Sequence, residues 1–549
     1  MNNEIGRKIT SLTLMTIMLA GAFTAVAPSF MPSASAANAN LFVSAENSQF
    51  QNHFSGPQIV EVVVIDSDIK DTDKGKGEPD LTINGAKLRM LQGTDGNWYG
   101  YFADRVQAQK ADAIPRGVGL GANKTSLDFG TFCKSDSFSG ILSFTSTTGI
   151  AVASNFTDSV YSTSGGTNGQ GTLTTCNYGT GNTATETQNV IRENKTLNRG
   201  VSGKVGQLIS TSGKGSQFAD QLWPIIQLYD FSTGGNVVVQ YNKGGGVQTT
   251  SLVFDSLSST ISVNTDRTTY PQGAQVHVNL KDFQLNIDPT DEDSWTFSTL
   301  AGSEALRYEV FDENGATGAG LANTANANPS IKGNLTGLMF SAGIMTINKD
   351  VGSTGTDVLL IQDTADSIIT AGGDIDTAAT TATGATYPVQ FTETGPNTGI
   401  FVTSDENDVS SLKTTASAKR DSTASITYND KGKTIKVSLG FGVLNINSAS
   451  LGGEWNSGET VGVSLTDTDA NKNGLSDEDL DVNNGNSTLI PAIKIGSPLT
   501  LSGASSTACS SAGTTFGSSV DTYSDRLICK TSVATTYPAT NTGAYFNVT

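Results

Sequence analysis

The sequence predicts an all-β chain, a tandem array of related sandwich domains, and three observations carry that prediction. The first is composition. Glycine accounts for 60 of 549 residues and aromatics for only 7%, with Ser, Thr and Asn crowded between short apolar runs. That is the pattern of short strands joined by many turns, and no long amphipathic helical stretch interrupts it. The second is a strand that runs straight into acids. Val461, Val463 and Leu465 alternate with small or polar residues, the period-2 signature of one buried face, and lead into Asp467, Asp469, Asn471, Asn473 and Asp477. The third is recurrence. Val62, Val64 and Asp66, then Val278, Leu280 and Asp282, repeat the spacing of Val463, Leu465 and Asp467. Each copy follows a similar strand, at Leu41–Ala45, Thr260–Asn264 and Leu444–Ser448.

The elements follow in chain order. Arg7 and Lys8 precede an apolar run over 9–27, and Ala34-Ser35-Ala36 offers a small-residue cleavage site, so residues 1–36 read as a secretion signal. The apolar run approaches spanning length, but its Thr, Ser and Gly residues and the cleavage pattern favour export over anchoring. No later stretch is expected to span a membrane. The formal charge is −19, and loss of Glu4, Arg7 and Lys8 with the leader makes it −20.

A chain of this length is too long for one core. The first unit is placed at 37–255, with a Ser/Thr/Gly-rich insertion over about 103–231. It contains a hairpin signal at Asp95-Gly96 before an aromatic strand, and closes with the strand Asn236–Asn242. The second unit is placed at 256–442 and closes with Ala424–Asp430, which parallels the first closing strand. The third is placed at 443–549. Its Asn541-Thr-Gly-Ala-Tyr-Phe546 repeats Asn397-Thr-Gly-Ile-Phe-Val402, but no closing strand follows, so this unit reads as incomplete and the chain as part of something longer.

Four cysteines in an exported chain point to disulfides. Of three connectivities the simplest pairs Cys133 with Cys176 and Cys509 with Cys529, each within one unit. Zinc is the rival, but the spacing is wrong and only His53 and His277 could assist. Sequons stand at Asn123, Asn155, Asn194, Asn334, Asn486 and Asn547, candidate glycosylation sites on exposed loops, although a chain rich in Asn, Ser and Thr makes sequons by chance.

Oxygen side chains at alternate positions suit a hard cation. Counted from Asp469, the loop follows the first nine positions of an EF-hand-type loop, with Gly474 at the sharp turn, yet position twelve is Leu480 and no helices flank it. Structural Ca²⁺ is therefore expected on Asp467, Asp469, Asn471, Asn473 and Asp477, against the alternative of a solvated acidic turn. A second candidate set is Asp66, Asp68, Asp71 and Asp73, where Lys70, Lys74 and Lys76 could neutralise the acids instead. The cluster from Asp288 to Asp293 is a third. No nucleophile elbow, zinc-protease helix or phosphate loop is present, so no enzymatic activity is expected. The charge disfavours nucleic acid.

The leader Met1–Met18, the mature start Ala37–Phe50, and the motifs Thr392-Glu-Thr-Gly-Pro-Asn-Thr-Gly-Ile-Phe401 and Val463-Ser-Leu-Thr-Asp-Thr-Asp-Ala-Asn471 resemble S-layer proteins of ammonia-oxidising archaea (Thaumarchaeota). The resemblance covers the domain ends well and the insertion poorly. It implies tandem Ig-like domains at the cell surface, self-assembly of identical subunits into a porous glycosylated array, and divalent cations in assembly. An acidic coat would favour cations, including the ammonium on which such a cell lives. The alternatives are a secreted adhesin or cell-wall binding array, and accessory β modules of a carbohydrate-active enzyme.

Overall fold

The computed structural model describes residues 39–112, most of 129–153, 175–176, 190–198, 222–298, 345–351, 358–361, nearly all of 388–447, and 461–478, with short strand pieces elsewhere. Residues 1–36, Cys509, and the sequons at Asn123, Asn155, Asn334, Asn486 and Asn547 lie outside the described residues.

The described chain is built of β-sheets, with one eight-residue α-helix. In the first unit the strands are β1 (Leu41–Val43), β2 (His53–Phe54), β3 (Val60–Val64), β4 (Leu81–Ile83), β5 (Ala86–Leu88), β6 (Leu91–Gln92), β7 (Trp98–Asp104), β8 (Thr131–Cys133), β9 (Gly149–Val152), β10 (Ile225–Tyr229), β11 (Gly235–Lys243) and β12 (Gly246–Phe254). Helix α1 (Arg105–Asp112) follows β7. One sheet runs β1-β3-β7-β10-β9-β8, with β6 also on β7, and the other runs β2-β12-β11-β4-β5. Alternation decides which side chains meet between them. Val60, Val62 and Val64 of β3 turn inward, as do Val237, Val239 and Tyr241 of β11, and the two sets share one buried cluster with Trp98, Phe102 and Phe254. Fully burying each such valine contributes about 1.5 kcal/mol or more. The hairpin expected at Asp95-Gly96 is present, with Gly96 at φ +84° and β6 paired to β7.

The stretch read as an insertion is partly sheet. Strand β10 lies parallel to β7, Ile226 opposite Tyr101, so the chain between them must cross over, and α1, β8 and β9 belong to that crossover. Cys133 and Cys176 are bonded and buried among Phe138, Phe144, Ile150 and Leu222, a satellite core beside the main one. The Ser/Thr/Gly-rich composition hid these apolar residues because they are spread thinly along the chain.

The second unit repeats the plan. Its strands are β13 (Ser262–Thr265), β14 (Thr269–Tyr270), β15 (Val278–Lys281), β16 (Ser294–Ser298), β17 (Leu306–Tyr308), β18 (Met345–Val351), β19 (Leu359–Ile361), β20 (Pro388–Glu393), β21 (Ile400–Val402), β22 (Leu412–Thr414), β23 (Thr423–Tyr428) and β24 (Lys431–Val437). The sheets run β13-β15-β21-β20-β16-β17 and β14-β24-β23-β18. In both units the first strand pairs with the motif strand, and a two-residue strand lies parallel to the last strand of the unit. The closing hairpins are tight, turning at Gly244-Gly245 and at Asn429-Asp430, where Asn429 takes φ +53°.

Of the third unit the described part is the hairpin β25 (Val443–Ile446) and β26 (Val463–Thr466), the loop after it, and the short pairs β27 (Ser510–Ser511) with β28 (Thr514–Thr515) and β29 (Ile528–Cys529) with β30 (Ala544–Tyr545). Leu444 faces Leu465 as Val263 faces Leu280 and Leu41 faces Val64, so the register of the motif is the same three times. The alternation at Val463 and Leu465 is confirmed as a strand. The buried face expected of it is not: Val463 and Leu465 are 59% and 45% exposed, whereas their counterparts in the first two units are buried.

Candidate functional site in the acidic loops

The acid ending each motif strand plays one local role in all three units. Asp66 Oδ1 accepts from the Asp68 amide at 3.0 Å, Asp282 Oδ1 from the Gln284 amide at 3.0 Å, and Asp467 Oδ1 from the Asp469 amide at 2.9 Å. A carboxylate that bonds the amide two residues on stops the strand and starts a turn. Each turn is closed by a second bond, from the amide three residues on to the aspartate carbonyl: Ile69 to Asp66, Leu285 to Asp282 and Ala470 to Asp467.

In the first two units the other carboxylate oxygen is taken from across the core. Tyr241 Oη donates to Asp66 Oδ2 at 2.8 Å, and Tyr428 Oη donates to Asp282 Oδ2 at 2.9 Å. A tyrosine of the closing hairpin thereby fastens the two sheets together. Trp98 Nε1 donates to Ile69 O, and Trp295 Nε1 to Leu285 O, the same loop carbonyl reached from β7 in one unit and β16 in the other. Charge is managed differently. Burial raises Asp66, but the Asp68 amide, Lys243 and Tyr241 outweigh it and hold the carboxyl below its usual range. Among the described residues no such cation acts on Asp282, and burial pushes it up to about 6.

The next part of the loop joins successive units. The Ile59 amide donates to Ile287 O at 3.0 Å, and the Gln275 amide donates to Lys472 O at 2.6 Å. Both bonds run from the residue seven before the motif aspartate of one unit to the residue five after that of the next. Around the first joint, Gln58 Nε2 bonds Phe283 O and Asn286 O, Phe50 stacks on Phe283 with centroids 4.2 Å apart, and Asn397 Nδ2 reaches Ser44 O. Around the second, Arg267 Nη1 bonds Asn471 O and Oδ1, His277 Nε2 lies 2.7 Å from Asn473 Oδ1, and Lys472 Nζ donates to Gln272 O. Buried apolar residues of the first two units, including Ile59, Val190, Ile191, Leu285 and Ile287, form one continuous cluster.

Arg192 closes the first joint. Its amide donates to Asp288 Oδ2 at 2.8 Å, and its guanidinium lies 3.2 Å from Asp291, 3.3 Å from Asp293, and against the Glu292 carbonyl. Asp293 also accepts the Ile287 and Asp288 amides, while the buried Glu393 takes the amides of Asp293, Thr398 and Gly399. Burial pushes Asp288 up to about 7, Arg192 pulling down against it, and burial with the nearby Asp293 carries Glu393 well above the carboxylate range. The Thr392–Phe401 motif is thus a hairpin tip whose glutamate braces its own turn and whose asparagine, Asn397, holds the preceding unit. Gly399 stands at φ +62°, with a Cβ there only 2.8 Å from Phe283 Cα.

Calcium can be tested against these contacts. Both oxygens of Asp66 are engaged; Asp68 extends to solvent beside Lys243; Asp71 is held low by a hydrogen bond with Asp73, with Lys74 adding to it. In the third loop Asp467 Oδ1 accepts the Asp469 amide and Asp469 Oδ2 accepts the amide of Gly440 in the second unit, while Asn471 and Asn473 turn to Arg267 and His277 and Asp477 is exposed. Among the described residues no three acids, histidines or cysteines are grouped to hold a metal ion. Gly474 is not at a left-handed turn; a Cβ there would lie 2.7 Å from Asp266 Oδ2, so glycine permits close approach of two units.

Asn194 is exposed beside Arg192, the one sequon asparagine among the described residues. Arg192 itself had no sequence signal, being one of three cations, with Lys195 and Arg199, in a loose polar stretch. Tyr241 and Tyr428 share one local feature, in that each immediately precedes an asparagine near the end of its closing strand. Among the described residues no helix is long and apolar enough to cross a membrane. No protein-family model matches the chain, and no curated protein matches it.

Proposed function

We propose that the chain is a structural subunit of a secreted cell-surface array, an S-layer, built from tandem Ig-like sandwiches that assemble with identical copies. The observation that carries this reading is the joint. A loop-to-strand hydrogen bond recurs at one sequence offset between the first and second units and between the second and third. Joints repeated in this way give a string of domains a defined succession, which a lattice needs and a flexible linker does not supply. The leader expected at 1–36 and the sequons are what an exported coat protein would carry. Divalent cations enter as bridges between exposed carboxylates of neighbouring copies, and the acidic pores favour cations over anions, an effect screened as the Debye length falls to ~8 Å near physiological salt. The test is electron microscopy of the purified mature chain with and without Ca²⁺ or Mg²⁺. Ordered sheets are expected. A chain that stays monodisperse under every condition, yet binds a polysaccharide or cell-wall surface, would replace this reading with the adhesin.

A further inference from the structure

The motif strand has two neighbours in each of the first two units and one in the third. Strand β3 lies between β1 and β7, and β15 between β13 and β21, whereas β26 is paired to β25 alone among the described residues. Its other edge presents the amides of Val463, Leu465 and Asp467. In the second unit the matching edge is used in full: the Asp282 amide donates to Gly399 O, and the Thr403 amide to Val278 O.

We infer that β30 is the strand that occupies this edge, with Leu465 opposite Tyr545. Three independent registers point to it. Leu280 faces Phe401 across β15 and β21, and Asn397-Thr-Gly-Ile-Phe-Val402 is repeated as Asn541-Thr-Gly-Ala-Tyr-Phe546, so Tyr545 stands where Phe401 does. Phe401 is opposite Glu393 on β20, and Tyr545 is opposite Ile528 on β29, so β29 and β30 already form the pair that β20 and β21 form. In the first unit the residue facing Val64, two before the motif aspartate, is again aromatic: Trp98. A large ring opposite an aliphatic residue is a favourable cross-strand pair, and it takes the same place in the first and second units. Filling the edge also removes an open ladder next to exposed Val463 and Leu465, a template for unwanted pairing.

The register fixes the test. In β15 and β21 the pair Asn279 and Val402 sits between hydrogen-bonded pairs, where side chains are closest. The counterparts are Ser464 and Phe546. Ser464→Cys/Phe546→Cys in the full chain, oxidised at low concentration and mapped by non-reducing peptide analysis, is expected to give a bridge within one chain. The pair Thr466→Cys/Phe546→Cys, out of register by two, should give none. Hydrogen exchange of the unsubstituted chain supplies a second readout that needs no variant: Leu465 and Asp467 amides should exchange as slowly as Ser464, whose amide faces β25. Bridges only between chains would assign the edge to a second copy. No bridge, or Leu465 and Asp467 exchanging at the rate of an unprotected peptide while Ser464 is slow, would overturn the assignment.

Discussion

Arg192→Ala is the substitution that most directly tests the first joint. The guanidinium is 13% exposed and is the one cation the described residues place among Asp288, Asp291 and Asp293, two of which are fully buried. Removing one partner from a buried ion pair costs about 3–5 kcal/mol, because the carboxylates left behind remain out of water. The slight exposure of Arg192 argues for the lower end, about 3 kcal/mol, equivalent to a fall of roughly 6–12 °C in the melting transition of a unit this size. The effect should depend on pH in a fixed direction. Burial raises Asp288 from 3.8 to about 7, so the native state binds that proton more tightly than the unfolded chain, and stability falls as pH climbs from near 4 through 7. Arg192 opposes the rise. Without it Asp288 moves further up, so the variant loses most above pH 7 and least toward pH 4. Calorimetry of the full chain at pH 5 and pH 8 reads both. A loss under ~1 kcal/mol at pH 8, or equal losses at the two pH values, would refute the clasp, since ~1 kcal/mol is what an exposed pair contributes.

Three further outcomes follow from the same contacts. Tyr428→Phe should cost about 2 kcal/mol in chemical denaturation and Tyr241→Phe about 1, because Asp282 loses a partner in a dry site whereas Asp66 keeps Lys243; the reverse order would contradict the latch. Peptide mapping should recover Cys133 linked to Cys176, and removing that bridge should cost about 4 kcal/mol for its 43-residue separation, read as a fall in denaturant midpoint. Gly474→Ala should weaken the second joint by about 1 kcal/mol or more, since the new methyl meets Asp266, and limited proteolysis within 438–442 should speed up.

Much of the fold was legible because the motif is local. Val62, Val64 and Asp66 sit on one strand, so their spacing survives in sequence and returns as register in three hairpins. The purpose of the aspartate was not legible. Its partners, Tyr241 and Tyr428, lie 175 and 146 residues away, and no local pattern ties them to it. An alternating acidic loop looks the same in sequence whether its oxygens serve an ion or bond to protein groups, as Asn471 and Asn473 do with Arg267 and His277. Gly474 illustrates the ambiguity: a sharp calcium turn and a close approach to Asp266 both require glycine, and only geometry separates them. The crossover strands β8, β9 and β10 were missed for another reason. Their apolar residues are diluted by Ser, Thr and Gly, and it is the Cys133–Cys176 bond and the pairing with β7 that gather them.

The joints also bear on the charge that a cation-favouring coat would use. The formal −19 of the chain counts every carboxyl as ionised, yet several sit where ionisation is costly. Asp288 is pushed up to about 7, Asp282 to about 6, and Glu393 well above the usual range, all first of all by burial. At pH 7 a group with a pKa near 7 holds half a proton and one near 6 about a tenth, so Asp288 and Asp282 together retain roughly 0.6 of a proton in the native state, and burial of Glu393 acts in the same direction. An unfolded chain would release these protons, since ordinary carboxyls are ionised at that pH. His277 opposes this only slightly: burial lowers it, so unfolding at pH 7 takes up a fraction of one proton there. The native chain is therefore less negative than its sequence, and exposed acids such as Asp68, Asp421 and Asp430 are themselves paired with Lys243, Lys436 and Lys431. Unfolding the chain in urea at pH 7 in weakly buffered solution should therefore release protons, about half a proton or more per molecule. Net proton uptake, or no change, would mean that these buried carboxyls are fully ionised in the native chain and that its charge is the full formal value.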